Sequence, residues 1–343
     1  MTYDLLSKRD KTRMSREDLT PLAPDIAAAV VALKQGEVVA IPTETVYGLA
    51  AKISDDSAIR KIFSVKNRPF FDPLIVHVTS IEQAQTLVRE WPQSAQCLAE
   101  SYWPGPLTLV LPKSSCISDL ITSGLDTVAI RSPRHPMARL IINALNEPVA
   151  APSANKFGRT SPSDAAHVRD EFGDSVLVVD GGPCEVGIES TIVKLVESET
   201  TVTLTLLRSG SIVPDQLLQS LRKLNKNVEI LRPGHNIEAP GQIKHHYMPS
   251  IPVLFVSREK WNGIQGSMTA LNQHFHTQFQ NPCLLNLNQS PEQAARELYG
   301  ELRRCSQSPH DAIVFLRELY HKGDLWVAIL DRLNRASSYH WIE

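Results

Sequence analysis

Lys66 and Arg68 precede the apolar run Leu74–Val78, Arg131 closes the run TVAIR, and Arg208 closes TVTLTLLR. Pro69 and Pro73 fix the backbone beside the first pair and remove two donors, so Lys66, Arg68 and Asp72 are held on a stiff segment. Hydroxyls keep the same company. Thr43 and Thr45 flank Glu44 after one apolar run, Ser153 and Asn155 follow another, and Ser190 with Thr191 opens a third. Cations and hydroxyls gathered at strand ends suit a polyphosphate better than a neutral metabolite. Each piece alone also has a plain reading. T-E-T is a turn or a helix cap, His77 inside an apolar run is a hydrogen-bonded core histidine, and P-S-A-N is an Asx or Ser turn. The pair His245–His246 lacks partners at ligand spacing, which argues against zinc. Neither of the standard glycine-rich phosphate cradles, G-x-x-x-x-G-K-[ST] and G-x-G-x-x-G, is present.

The elements that must position these residues alternate. PDIAAAVVALKQG reads as a helix stopped at Gly36, followed by a strand ending at Pro42. DDSAIRKIFSVK is a helix capped by Asp55 or Asp56. Helices over about 81–89 and 94–101 precede the strand PLTLVLP. TVAIR (strand), PMARLIINAL (helix), VAAPSAN (strand into loop), SDAAHVRDEF (helix), the strands SVLVVDGG, STIVKLV and TVTLTLLR, and the helix VPDQLLQSLRKL complete an α/β unit with some antiparallel pairing. Residues 232–251 are rich in Pro and Gly without apolar periodicity and read as a linker. Beyond it, PVLFV, PCLLNLN and DAIVFLREL read as strands, and SPEQAARELYGELRRC and DLWVAILDRLNRAS as helices, of a second α/β domain with a parallel sheet.

Composition sets bounds on function. The chain has 343 residues, enough for two domains, and 35 basic against 37 acidic side chains give a net charge of −2. A dedicated nucleic-acid binder would be clearly basic, so strong direct nucleic-acid binding is not expected. Five scattered cysteines without C-x-x-C fit a reducing compartment and suggest no disulfide framework. No segment reaches the ~18 apolar residues of a membrane span and the polar N-terminus has no signal-peptide core, so a cytoplasmic location without membrane association is expected.

IPTETVYGLA, KNRPFFDPLIVHV, YWPGPLTLVL, AIRSP, AAPSANKFGRTSP, VDGGPCEVGIESTIV and LLRSGSI occur here in order, and APGQIKHHYMP and VAILDRLNRA follow. Together they closely resemble the YrdC-type threonylcarbamoyl-AMP synthases in their longer, two-domain form. The resemblance implies a twisted YrdC-like α/β domain with a concave positive cleft, plus a smaller C-terminal Rossmann-like α/β domain. The expected organisation is an N-terminal extension (1–20), a catalytic domain (21–231), a linker reaching the active site (232–251) and the C-terminal domain (252–343). The implied reaction condenses L-threonine, bicarbonate or CO2 and ATP, with Mg²⁺ on the nucleotide, to threonylcarbamoyl-AMP and pyrophosphate. The product would pass to a tRNA threonylcarbamoyl transferase complex. Carried onto this sequence, Thr43, His77, Arg131, Ala151 and Ser190 line the threonine pocket. Lys66, Arg68, Asp72, Thr127, Ser153, Asn155, Ser161, Arg208 and Tyr247 hold ATP, with Lys66 and Arg68 as the catalytic cations. Four positions depart from the family pattern: Asn67 for Gly, Phe70–Phe71 for small or polar residues, Asp72 for Asn and Ser209 for Pro. The alternative is a double-stranded-RNA-binding or regulatory protein using the same positive cleft.

Overall fold

The structure, a computed structural model, describes residues 23–232, 234, 238–242, 246–307 and 309–342. The expected N-terminal extension 1–20 and His245 lie outside the described residues. Ten strands form one mixed sheet: β1 (Val39–Ile41), β2 (Gly48–Lys52), β3 (Ile75–His77), β4 (Leu107–Pro112), β5 (Thr127–Arg131), β6 (Val149–Ala150), β7 (Leu177–Val178), β8 (Thr191–Glu197), β9 (Thr201–Arg208) and β10 (Asn227–Leu231). Their spatial order is β10-β9-β8-β4-β5-β3-β6-β2-β1-β7. Local chemistry places the helices between them. Pro24 starts the first, Pro24–Lys34. The Asp55 carboxylate accepts the backbone N–H of Ser57 and Ala58 and so caps Asp56–Lys66.

The two-residue repeat of the strands divides the sheet into two unlike faces. Val76, Leu109, Leu111, Val128, Ile130, Val193 and Leu195 point into the main core beneath the helices. Ile75, Val110, Ala129, Ile192 and Leu207 form a small apolar floor on the other face, covered by Ala239 of the linker. This second face is the concave one. Its margin is set by register. β3 and β5 run parallel with His77 beside Arg131, and antiparallel β4 brings Thr108 opposite Arg131. Antiparallel β9 brings Arg208 opposite Ile192 at the start of β8. The last residues of β3, β5 and β9 therefore meet the first residues of β4 and β8 along one edge.

The second domain is a parallel sheet of β11 (Val253–Ser257), β12 (Pro282–Leu285), β13 (Ala312–Arg317) and β14 (Tyr339–Trp341), ordered β12-β13-β11-β14. Helices cover both faces, as an all-parallel sheet requires. Leu271, Trp261 and Phe275 pack on one face, and helices Pro291–Cys305 and Asp324–Ala336 on the other. The latter pair also packs against Val46, Ile188 and Tyr247, so the domain closes over the concave face of the large sheet.

The sequence reading is corrected in several places. Strand β10, whose residues alternate between exposed and half-buried, extends the large sheet just before the linker and was not anticipated. SVLVVDGG shortens to two paired residues. Helices Arg258–Gly263 and Met268–Phe275 and strand β14 were not anticipated, being short and weakly periodic. Cys283 and Cys305 form a disulfide with Cα atoms 5.4 Å apart, contrary to the expectation of unpaired thiols. Their spacing in the chain carries no pairing signal, whereas the fold lays the end of a helix beside β12.

The contact between the domains leaves no room at Gly187. Its φ is +80°, and a Cβ there would lie 2.4 Å from the Arg296 Cα and 2.6 Å from the Ala295 carbonyl oxygen. Gly187→Ala is expected to cost about 2–4 kcal/mol in urea unfolding, as left-handed strain adds to overpacking. Gly158→Ala, also at positive φ but in open space, should cost only about 1–2 kcal/mol. Equal costs would sink this account.

Candidate active site

The sheet margin assembles one end of the cleft. Arg131 ends β5 and its guanidinium donates from Nη1 to Thr45 Oγ1 (2.8 Å) and from Nε to the Gly105 carbonyl (3.2 Å). Nη2 pairs with Glu44 Oε1 at 2.7 Å, both side chains being buried. Two of the five N–H groups of the fork are thus hydrogen-bonded to the protein, and Nη2 faces Glu44 as an ion pair without a hydrogen bond of its own. Burial pushes the Glu44 carboxyl up, but the Arg131 charge outweighs it and holds the group below its ordinary value. Thr43 Oγ1 lies 2.9 Å from Thr45 Oγ1 and donates to the Val46 carbonyl at 2.6 Å. His77 is buried beside Arg131, and its Nδ1 is 3.1 Å from the Ile75 carbonyl. A carbonyl only accepts, so Nδ1 carries the hydrogen and Nε2 is left as an acceptor. Burial, reinforced by Arg131, drives the imidazole down to about 3, so it is neutral at physiological pH.

Arg68 and Arg208 mark the other part of the cleft. Arg68 donates from Nε to the Asp72 carbonyl (3.0 Å) and from Nη2 to that of Pro73 (2.8 Å), and pairs with the Asp72 carboxylate at 2.8 Å. Burial raises the Asp72 carboxyl against the pull of Arg68. The carboxylate that looked misplaced among phosphate-binding cations is therefore the partner of one of them. Arg208 donates from Nε to the Ser190 carbonyl (3.0 Å), from Nη2 to Ser190 Oγ (3.0 Å) and from Nη1 to the Pro240 carbonyl of the linker (3.3 Å). Ser190 Oγ also meets Thr108 Oγ1 at 2.7 Å.

Lys66 is placed differently from the expectation that it faces phosphate. Its ammonium is buried and donates to the carbonyls of Ser153 (2.6 Å) and Asn155. Burial, with Arg68 second, holds it well below the usual lysine value. A buried ammonium needs acceptors, and the loop after β6 supplies them, so Lys66 shapes that loop. Asn67 next to it has φ +51°, which explains how Asn replaces the family's Gly. Phe70 and Phe71 are more than half exposed, and the Phe70 ring packs on Phe63 at 4.7 Å.

Thr43, Arg68, His77, Arg131, Ala151, Ser153, Arg208 and Tyr247 line one enclosed space, together with Thr45, Glu189 and His246. Lys66, Asp72, Asn155, Ser161 and Ser190 stand behind that lining. Thr127 opens β5 on the same face as Ala129 and Arg131, level with Pro73 by extension of the β3–β5 register, and so lies toward Arg68. Tyr247 is the roof. It is buried at φ +64°, and its carbonyl accepts from Thr160 Oγ1 at 3.2 Å. Gly241, at φ +85°, lets the tyrosine hydroxyl approach, since a Cβ there would lie 2.6 Å from it. His246 beside it is buried, in edge contact with Phe157 and Tyr247, and burial lowers it to about 3. Among the described residues no group of three or more His, Cys, Asp or Glu side chains could hold a metal ion.

Sequence reasoning missed four participants. Glu189 is buried beneath Tyr247 and accepts from Ser161 Oγ at 2.6 Å. His246 was weighed only as a metal ligand. Tyr299 and Arg332 reach Glu189 from the second domain, at 2.8 Å and 3.1 Å. The available signal was charge at apolar helix positions: Arg332 falls on the buried stripe of its helix, among Ala328, Ile329 and Leu333.

Comparison with known proteins adds an independent line. The Sua5/YciO/YrdC family model, described as telomere recombination, matches residues 31–210, and the model of the threonylcarbamoyl-AMP synthase C-terminal domain matches residues 212–338. Threonylcarbamoyl-AMP synthase of Pyrococcus abyssi is 36% identical over 326 residues, covering 91% of this chain and 93% of the relative. The protein of that name from Bacillus subtilis is 39% identical over 239 residues, covering 69% and 68%. The crystal structure of P. abyssi Sua5 complexed with L-threonine superposes with a TM-score of 0.80 at 35% identity, covering 93% of this chain and 96% of that one. Both domains, their order and their arrangement are thus shared, and the chain belongs to the threonylcarbamoyl-AMP synthase family.

Proposed function

We propose that the protein is an L-threonylcarbamoyl-adenylate synthase, consuming L-threonine, bicarbonate or CO2 and ATP and releasing pyrophosphate. The observation that carries this reading is the convergence of Arg131, Arg68 and Arg208 on one cleft with the neutral acceptor His77 and the hydroxyl of Thr43. Arg131, whose Nη2 makes no hydrogen bond within the protein, suits the carboxylate of the amino acid, and Thr43 and Nε2 of His77 suit its hydroxyl and amine. The amine combines with bicarbonate to give a carbamate and water. A carbamate oxygen then attacks the α-phosphorus of ATP, and the bond to the pyrophosphate leaving group breaks. Carbamate and triphosphate are both anionic, so their approach needs fixed cations. Arg68 and Arg208 supply them, and positioning supplies much of the rest. Mg²⁺ enters with the triphosphate. The carboxylates in or beside the cleft, Glu44, Asp72 and Glu189, are each engaged by an arginine, so Mg²⁺ would be held through the triphosphate rather than by these side chains.

Tyr247, with Pro240 and Gly241 of the linker, covers the space between Arg68, Arg131 and Arg208. Lifting of the linker would admit ATP, and its return would exclude water from a carbamate that hydrolyses readily. The same closure disfavours the RNA-binding alternative, because linker and second domain cover the concave face a duplex would need. Among the described residues no helix is long and apolar enough to cross a membrane. A cytoplasmic enzyme handing its adenylate to a tRNA threonylcarbamoyl transferase complex completes the proposal.

Pyrophosphate release from ATP is expected to require both L-threonine and bicarbonate. Arg68→Met combined with Asp72→Asn, which keeps the buried charge balanced, should lower the rate by about 10²–10³-fold while the thermal transition stays cooperative. Release with ATP alone would point to another nucleotidyl reaction.

His77 generates a pH prediction. Its folded value is about 3 against about 6.5 unfolded, so below pH 6.5 the unfolded chain takes up a proton that the native site refuses. Stability then falls as pH falls, by about 2 kcal/mol for this residue between pH 6.5 and 5. His77→Asn should lose that much less over the same interval in urea titrations. The threonine KM of the wild type should show no titration assignable to His77 between pH 6 and 8, and an inflection there that disappears in His77→Asn would contradict a neutral imidazole.

A further inference from the structure

The second domain reaches the site through two side chains. Arg332, on helix Asp324–Ala336, is fully buried and pairs from Nε with Glu189 Oε2 at 3.1 Å. Its Nη1 donates to the Ser209 carbonyl at 2.5 Å and to that of Ala328 at 3.2 Å. Tyr299, on helix Pro291–Cys305, donates its hydroxyl to Glu189, 2.9 and 2.8 Å from the two oxygens. One guanidinium therefore grips the residue before Ser190 and the residue after Arg208, while Ser190 and Arg208 are themselves joined by two hydrogen bonds. The same two side chains support the roof. The Arg332 guanidinium carbon lies 5.8 Å from the centre of the Tyr247 ring, and the Tyr299 ring stacks on Tyr247 at 5.8 Å with 30° between planes.

Simple stabilisation does not account for this arrangement. A fully buried ion pair adds little net stability over apolar residues of the same volume. The surroundings are apolar already: Leu298, Leu302, Ile329 and Leu333 lie in the same core cluster. What the pair adds is direction, a planar fork and a hydroxyl that fix Glu189, and with it Ser161, in one position. Among the described residues, Thr43, His77 and Arg131 of the threonine end share no hydrogen bond or ion pair with Arg332 or Tyr299, and Ser190 meets those two only through its neighbour Glu189 and its partner Arg208.

We propose that Arg332 and Tyr299 are positioning residues of the nucleotide side of the site, coupling the seating of the C-terminal domain to closure of Tyr247 over ATP. The proposal rests on the synthase reading and extends it by giving the second domain a part in ATP use greater than any in threonine recognition.

The test uses the full chain with Tyr299→Phe, Arg332→Lys, and Arg332→Met paired with Glu189→Gln so that no buried carboxylate is stranded. Thermal unfolding, pyrophosphate release with each substrate varied, and hydrogen exchange of peptides covering 246–251 are measured on all of them. Tyr299→Phe removes one charge-assisted bond and should cost about tenfold in kcat/KM for ATP; the Arg332→Met pair should cost about a hundredfold. The threonine KM should move less than about twofold, within the range of an untouched pocket. Arg332→Lys should recover part of the loss, and exchange of the 246–251 peptides should rise in the same order as activity falls. Folded variants with wild-type ATP kinetics and unchanged exchange overturn the proposal. So does an equal rise in both KM values tracking a lowered Tm, which would mark the pair as merely structural. If the wild type releases no pyrophosphate, the synthase reading fails by itself, and exchange of the linker peptides alone decides whether Arg332 and Tyr299 hold Tyr247.

Discussion

A cleft that gathers arginines away from water must neutralise them when no substrate is bound, and this constraint orders the whole structure. Arg131 is met by Glu44, Arg68 by Asp72 and Arg332 by Glu189, all six side chains being buried or nearly so. Lys66 and Arg208 are met by carbonyls and a serine. Removing one member of such a pair strands the other and costs about 3–5 kcal/mol, so each cation and its counter-ion are fixed as a unit. The internal carboxylates also set what the cleft selects. A ligand gains from the cations only through N–H groups the protein leaves open, and those point along particular directions. That favours anions of definite geometry, such as a carboxylate or a phosphate, over a diffuse polyanion.

The fold satisfies the constraint by placing its charges at one margin of a two-faced sheet. One face is an ordinary core under helices. The other carries a thin apolar floor of Ile75, Val110, Ala129, Ile192 and Leu207, which is buried under Ala239 instead of facing water. In an all-parallel sheet a second helical layer would cover it. Here the linker and two helices of a separate domain do so, through polar contacts such as Arg208 to Pro240, Lys194 to Glu238, Thr160 to Tyr247 and Met248 to Gly158, and through burial of Ala239 and Tyr247.

Much of this architecture was legible in the chain. Alternating apolar residues in TVAIR and TVTLTLLR revealed the strands and put Arg131 and Arg208 at their ends, because strand periodicity is local. Asp55 announced its helix through capping. The sequence could not reveal which end lies beside which. That depends on the direction of each strand, and parallel β3–β5 next to antiparallel β4–β5 is settled only by the complete topology. Local chemistry misled at Lys66, since a lysine near phosphate-binding residues and a lysine serving loop carbonyls look the same in one dimension. Glu189 and Arg332 are 143 residues apart, and no nearby pattern joins them. The Cys283–Cys305 bridge was invisible for the same reason.

The unequal rigidity of the two ends of the cleft follows from where their residues originate. His77 and Arg131 end strands of a single sheet, locked by register, and they do not move without breaking ladder hydrogen bonds, while Thr43 is held in the turn after β1 by Thr45 and Val46. Tyr247 and His246 come from a connection, and Tyr247 sits in a left-handed conformation that costs a non-glycine residue about 1–2 kcal/mol. The cost is tolerable only while the ring is packed between Tyr299, Arg332 and Gly241. In the opening proposed for the linker, loss of that packing would release the backbone strain and so partly offset the contacts given up. An enzyme that must admit a large nucleotide and then shield a water-sensitive carbamate needs such a balance at one end of its cleft and a fixed template at the other.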